Sequence, residues 1–341
     1  MFNLNLIKIL SRKISREFRE NPLTVIISFT ILIILFTFGL FFFRWLHLYS
    51  SWNVIIDNLN TFIFGDYPNE KTWRPAIWLL IILIILIYTL YIPKNKLSRN
   101  ILLFCWMLIP PSGIYLIAGG TGLTAISSLK WGGLTLTLIL TIYSSYIALP
   151  IGIILAIGRQ SNFRILSKIC ITYIDLIRSI PLIAVLFFGQ LLIPLFLPDF
   201  IEINRVTRAI FAFGLFASAY VAEDVRGGIQ SIPVTQIEAA EALGLSSTDI
   251  MLSIILPQAL KISIPALTNQ AVGLLQNTSL ISILGLTELL GISRGILANP
   301  KYIGNYLEVY LWLALLYWIF CTIIAFAFRN IEKQSNLYLV N

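Results

Sequence analysis

Eight apolar runs, each close to the roughly 20 residues that a helix needs to cross a bilayer core, leave this chain little choice of architecture. They lie near 23–43, 75–92, 101–118, 134–157, 170–194, 207–222, 264–290 and 307–328. Backbone polar groups in hydrocarbon must be satisfied within the segment, so each run predicts a helix. The expected fold class is an all-α integral membrane protein with about eight transmembrane helices. Charged residues make up only 12% of the 341 positions, against roughly 25% in soluble domains, which excludes an ordinary soluble fold. The sixth run is short, and the seventh is interrupted by polar residues.

Lys and Arg collect on the cytoplasmic side of membrane proteins. Lys8, Arg12, Lys13, Arg16 and Arg19 precede the first run and place the N-terminus inside. Alternation then puts Lys94, Lys96 and Arg99, then Arg159, Arg164 and Lys168, then the loop at 227–262, and finally Arg329 and Lys333 in the cytoplasm, with 44–74 as an external loop. The net charge of +8 is mostly this topology signal. Its scatter over many segments gives no nucleic-acid face. The first run exceeds the roughly 7–15 residues of a secretory signal core, and Phe41 to Trp45 stand where small residues would be cleaved, so it is expected to remain as an anchor.

The chain divides by character. Residues 1–130 hold three runs, the external loop and a Pro110-Pro111 break, and read as an accessory region. Residues 131–330 carry polar and small residues inside their runs and read as the working core, followed by a short tail at 331–341. No internal repeat of the kind built into many secondary carriers is visible. Cys105, Cys170 and Cys321 fall in separate runs without metal-ligand spacing and read as packing residues. His47, among aromatic residues just outside the first run, reads as an interfacial side chain.

The segment Thr235 to Pro257 is helical and polar among apolar neighbours. Ile237, Ala240 and Leu243 recur at helical spacing, and Gly244 gives a stop. Thr235 with Glu238, and Ser246 with Asp249, read as capping boxes, so two short helices joined at Gly244 are expected. An amphipathic hairpin on the lipid headgroups is the alternative, but no Lys or Arg lies between Arg226 and Lys261 to favour anionic lipid.

Polar groups within a bilayer tend to face a bundle interior or an aqueous path. The seventh run holds Thr268, Asn269, Gln270, Gln276, Asn277, Thr278, Ser279, Ser282 and Glu288. Asn269, Gly273 and Gln276 share a helix face, widened by Asn277. That face reads as the lining for a polar solute, or as ordinary interhelical hydrogen bonding. In the fifth run Asp175 and Arg178 are spaced to pair on one helix. Pro181 follows, which frees backbone groups near a solute path or a hinge. Glu223 and Arg226 stand at the inner mouth of the sixth run, to tie it to the loop helices or to pair with each other.

No GxxxxGK[ST] phosphate loop, zinc set or paired-carboxylate constellation occurs, so the chain is expected to be no enzyme, to hold no cofactor and to depend on another chain for nucleotide chemistry. Residues 238–244, EAAEALG, with Leu256-Pro257 beyond them, resemble the EAA signature of ABC-importer permeases. YVAEDVRGGIQ at 220–230, LPQALKISIPALTNQ at 256–270, NTSL at 277–280 and RSIPLI at 178–183 are similar to the polar amino-acid (His/Gln/Arg-type) permeases. WGGLTLTLIL at 131–140 and LIPLFLP at 192–198 resemble the general L-amino-acid branch.

The resemblance implies a five-helix type I importer core. It also implies a coupling dock formed by Glu238, Ala239, Ala240 and Gly244, with Pro257 ending the second loop helix. Arg178, Pro181, Glu223, Asn269, Gln270, Gln276, Asn277 and Thr278 are expected along the translocation pathway. Implied partners are ABC ATPase subunits that bind the ATP, a second permease subunit or a copy of this one, an extracytoplasmic binding protein and an amino-acid substrate. The implied location is the bacterial inner membrane, with both termini cytoplasmic. The chain departs from the family pattern at Ser179, Thr235 and Gln276, where Gly, Gly and Lys are usual. A secondary carrier or channel is the alternative reading.

Overall fold

The computed structural model describes residues 21–91, 96–198 and 200–337. The basic residues Lys8 to Arg19 and Lys94, on which part of the expected topology rests, lie outside them, as does the end of the tail at 338–341. Among the described residues the chain is helical, with one isolated bridge between Gly133 and Glu288. Seven helices are long and apolar enough to cross a membrane: Pro22–Leu48, Trp73–Leu90, Asn100–Gly119, Gly133–Arg159, Arg205–Gln230, Ser247–Leu284 and Tyr306–Lys333. A bent pair, Arg164–Ser179 and Leu182–Phe196, makes an eighth when the two helices are counted as one span. In chain order these match the eight apolar runs.

The chain forms two compact units, 1–53 and 54–341. The first contains the helix Pro22–Leu48, which starts on a proline at its first turn and exposes Leu, Ile and Phe on every side, the surface of a helix solvated by lipid.

In the second unit the fourth span, Gly133–Arg159, packs along the sixth, Arg205–Gln230. Their backbones approach closely because small residues meet at the seam. A β-carbon on Gly152 would lie 2.5 Å from Val221, and one on Gly214 would lie 2.7 Å from Ile147. Ser144 bonds the Ile210 carbonyl across the seam at 3.1 Å. Contact of this kind drives helix association in lipid, where apolarity alone gives no preference for a neighbouring helix. The sixth span is also longer than its apolar run. Arg205 and Arg208 extend its N-terminal end by donating to the carbonyls of Leu284 and Gln190, and Glu223, Asp224 and Arg226 extend its C-terminal end.

The Pro110-Pro111 pair does not break the third span, which stays helical through Gly113 before a wide turn at Ile114–Gly119. Proline removes a donor and leaves the carbonyl one turn back without a helical partner. A neighbouring side chain supplies a replacement, the Tyr146 hydroxyl donating to the Trp106 carbonyl, while Trp78 Nε1 donates to Ile109 at 3.1 Å and Tyr143 to Pro110 at 2.5 Å just before the wide turn. These bonds tie the third span to the second and to the fourth.

Most of the expected external loop is folded. Beyond Asn53 the short helices Asn53–Asp57 and Leu59–Phe64 press Phe62 into the end of the core opposite the loop at 227–262, where its ring meets Trp312 edge-on. Thr135 bonds the Ile63 carbonyl at 2.8 Å. Asp57 receives Lys301 at 2.8 Å and Tyr302 at 3.1 Å, and the Lys301 hydrogen bond first among these holds its carboxyl below the usual range.

Gly65 closes this segment at φ +65° with its Cα against the Gly132 backbone, and a β-carbon there would fall 2.3 Å from Gly132 Cα. Gly65→Ala is therefore expected to destabilise the protein by about 1–3 kcal/mol. A thermal ramp in detergent with an unchanged midpoint would refute that packing.

Candidate functional site

The loop between the sixth and seventh spans is built from local chemistry. Its helix, Val234–Ala242, begins after Pro233 with no side-chain cap, so Thr235 is not the expected capping residue. Proline fixes the entry and Thr235 already lies inside the first turn. The helix ends as Gly244 takes φ +78°. Leu245 N–H then bonds the Ala240 carbonyl at 3.2 Å, and Gly244 N–H bonds Glu241 at 2.9 Å, the paired pattern of a Schellman stop. Ser246 caps the next helix as expected, accepting from Asp249 N–H at 3.2 Å and donating to Asp249 Oδ2 at 2.6 Å.

That second helix is not short, and Pro257 does not end it. Ser247–Asp249 runs through a wide turn at Ile250–Ile255 into Leu256–Asn277. Pro257 sits in the first turn after the wide segment, where the ladder is already offset and a missing N–H costs little. Gln258 bonds the Gln236 side chain at 3.0 Å and ties the loop helix to this rod. Ala240, Ile250 and Ile255 are buried between them. Of the expected docking residues, Glu238, Ala239 and Gly244 are exposed, while Ala240 faces inward. Leu243 is 82% exposed and completes the outward patch. Its helical spacing with Ile237 and Ala240 hid it among the inward positions.

Beside the loop, three arginines from three helices converge on Glu223. Arg159, at the end of the fourth span, pairs with it. Arg226 reaches it at 2.7 Å and Arg178 at 3.6 Å. Arg226 also donates to Gln230 at 2.8 Å. Asp175 does not pair with Arg178 and lies 3.9 Å from Arg159 instead. Asp175 and Arg178 both lie on the helix Arg164–Ser179, which ends at a 104° bend across Ser179 to Pro181. The helix Arg164–Ser179 packs across the loop-side ends of the fourth and sixth spans, and Leu182–Phe196 runs toward the opposite end, where Gln190 donates to the Arg205 carbonyl at 2.7 Å. The expected single fifth span is thus two helices bent by 104°, with Pro181 at the corner. Arg178 stacks over Tyr220, 5.5 Å from its ring centre, which leaves Glu223 and Arg226 to tie these helices, not the loop.

On the seventh span Asn269 and Gln276 are exposed on one face and Asn277 is half-buried beside them. Gln276 touches Cys321 at 3.8 Å. Gln270 turns the other way, toward Asp224. Thr278 is fully buried and donates to the Leu275 carbonyl at 2.7 Å, a packing geometry. Glu288 lies beyond the span, buried, where it caps Leu289–Leu297 through Leu290 N–H at 2.8 Å and Gly291 N–H at 2.9 Å.

An all-helical bundle with a capped, outward-facing helical loop, a charge cluster at the same end and a polar face on the adjoining span has the form of a membrane transport permease. Residues 148–336 match the family of the binding-protein-dependent transport system inner membrane component, and the chain belongs to that family. It is 38% identical over 289 residues to the inner membrane amino-acid ABC transporter permease protein YhdY of Escherichia coli strain K12, covering 84% of this chain and 78% of that one. It is 31% identical over 327 residues to the glutamate/glutamine/aspartate/asparagine transport system permease protein BztC of Rhodobacter capsulatus, covering 80% and 75%. A crystal structure of an amino acid ABC transporter with histidines superposes with a TM-score of 0.52 at 29% identity, covering 58% of this chain and 90% of that one. The family consists of multi-pass inner-membrane permease subunits of ABC importers.

Proposed function

We propose that the chain forms one half of the translocation pathway of an ATP-driven amino-acid importer. It has no ATPase of its own and receives work through the loop at 234–245. The carrying observation is the join between loop and bundle: the Gln236–Gln258 bond and the buried Ala240 fix the exposed Glu238 to Gly244 patch onto the helix that bears Asn269 and Gln276. Two ATPase subunits, a second permease subunit or another copy of this chain, and an extracytoplasmic binding protein complete the assembly. Closure of the ATPases displaces the loop, and the attached spans alternate the pathway between two states.

Both termini and the loop lie on the cytoplasmic side of a bacterial inner membrane in this reading, supported by the positions of Lys and Arg. A Ser247→Cys variant is expected to react with a membrane-impermeant maleimide in inverted vesicles and not in intact cells; the reverse pattern refutes the orientation. The function is tested by reconstitution. Liposomes with the chain alone should pass no amino acid, and those with the whole complex should accumulate one when ATP is supplied on the loop side. Flux through the chain alone without ATP would make it a carrier or channel. Gln276→Leu, which alters the exposed polar face, is expected to change the KM for uptake several-fold with the ATPase still bound; unchanged kinetics would assign Gln276 to packing.

A further inference from the structure

Two cations, Lys71 and Arg74, meet on one neutral side chain at the end of the bundle opposite the loop at 227–262. Arg74 is only 4% exposed. Its Nη1 donates to the Thr124 carbonyl at 2.8 Å and its Nη2 to the Thr124 hydroxyl at 3.1 Å, with the Trp73 ring centre 5.6 Å from its guanidinium and the Tyr67 hydroxyl beside it. Its Nε is buried without an acceptor. Lys71 donates to the same Thr124 hydroxyl at 2.8 Å. Neither cation forms an ion pair among the described residues, and Glu70, next to Lys71 in the chain, reaches neither. A buried charge with only neutral partners is costly, and a second like charge beside it adds to the cost.

The remaining donors define what the pair can take. Both lone pairs of the Thr124 hydroxyl are used, so its proton is donated outward, and the Lys71 ammonium keeps two further N–H groups. Thr124 and Trp73 are exposed and Lys71 is half-buried, whereas Arg74 contributes its charge from behind them. The turn that presents Thr124 is tightly folded: Gly119 takes φ +100°, and a β-carbon on it would lie 2.6 Å from the Thr124 carbonyl oxygen. Donors alone, with positive charge, select an anion that has several acceptor oxygens. Depth selects its source. Trp73 opens the second span, and aromatic residues at a span's end mark headgroup level. Trp73, Ile77, Leu80 and Ile84 recur at helical spacing and are all exposed, a stripe that leads from the cations along the span as an acyl chain lies.

We propose that Lys71, Arg74 and Thr124 hold the phosphate of an anionic phospholipid, with Lys71 and Thr124 touching its oxygens and Arg74 supplying charge. Phosphatidylglycerol fits, because its headgroup carries no cation; the ammonium of phosphatidylethanolamine is repelled by the pair. The bound phosphate joins the second span to the turn before the fourth. Both lie outside the matched family residues 148–336, so the site gives the accessory region a task that the importer reading does not supply.

The test is native mass spectrometry of the purified full chain in detergent, titrated separately with dioleoylphosphatidylglycerol, dioleoylphosphatidylethanolamine and inorganic phosphate. The wild type should take its first phosphatidylglycerol about fivefold more tightly than its first phosphatidylethanolamine, the effect of about one basic residue at a lipid surface, and excess inorganic phosphate should not displace it. Lys71→Gln should abolish that preference and Lys71→Arg should keep it. Thr124→Val, which changes no charge, should weaken phosphatidylglycerol binding about threefold, as the loss of one hydrogen-bonding group does. Arg74 is left unaltered, since its burial would make any variant a test of folding. Equal affinity of the wild type for the two lipids overturns the site, as does an unchanged preference in Lys71→Gln or unchanged affinity in Thr124→Val. Displacement of the lipid by inorganic phosphate would make the occupant a soluble anion and overturn the lipid assignment.

Discussion

Glu223→Gln should be among the most damaging single substitutions in the chain. It removes the one carboxylate on which Arg159, Arg178 and Arg226 converge from three helices, and the glutamine left behind is isosteric, so no cavity is made. What changes is charge: three guanidinium groups remain around a side chain that is only 14% exposed. Breaking a buried pair by removing one partner costs about 3–5 kcal/mol, and because Arg159, Arg178 and Arg226 keep 23%, 40% and 28% of their side chains exposed the cost here is reduced to about 1–3 kcal/mol. The thermal midpoint of the purified protein is expected to fall accordingly. Arg159→Gln added to Glu223→Gln should recover part of the loss, since it removes one of the repelling charges. An unchanged midpoint for Glu223→Gln would show that the cluster is solvated and contributes little.

The second large effect is expected from Glu238→Ala combined with Gly244→Asp. A β-carbon at Gly244 meets nothing within 4 Å, and the left-handed conformation costs a non-glycine residue roughly 1–2 kcal/mol, so the bundle should fold. The outward patch is altered in charge and in shape. Uptake is therefore expected to fall more than tenfold together with loss of the ATPase on co-purification, at a thermal midpoint close to that of the parent. Full uptake with the ATPase retained would remove the docking assignment.

These two sites differ in how far a reader of the sequence can reach them. The loop was legible because its geometry is local: Gly244 sets the stop and Ser246 with Asp249 sets the restart, all within a few residues. The seven membrane-length helices were legible through apolarity alone. What escaped depends on contacts distant in the chain. Pro110 and Pro111 look like a break until tyrosines 33 and 40 residues away supply hydrogen bonds. Asp175 and Arg178 look like a pair until Arg159 and Glu223, on two other helices, come within reach of one each. The sixth span looks short because its charged ends find partners that apolarity cannot announce. Thr235 failed as a cap for a nearer reason, that Pro233 had already set the start.

The corner at Pro181 bears on the lipid as well. Leu182–Phe196 has fifteen residues, at most about 22 Å of helix, beside neighbours of 26 residues or more. Against a hydrocarbon slab of about 30 Å, one flank of the protein is too short for the bilayer around it. The membrane must thin there or let headgroups sink toward Arg178, and hydrophobic mismatch of this kind ties the energetics of that flank to acyl-chain length.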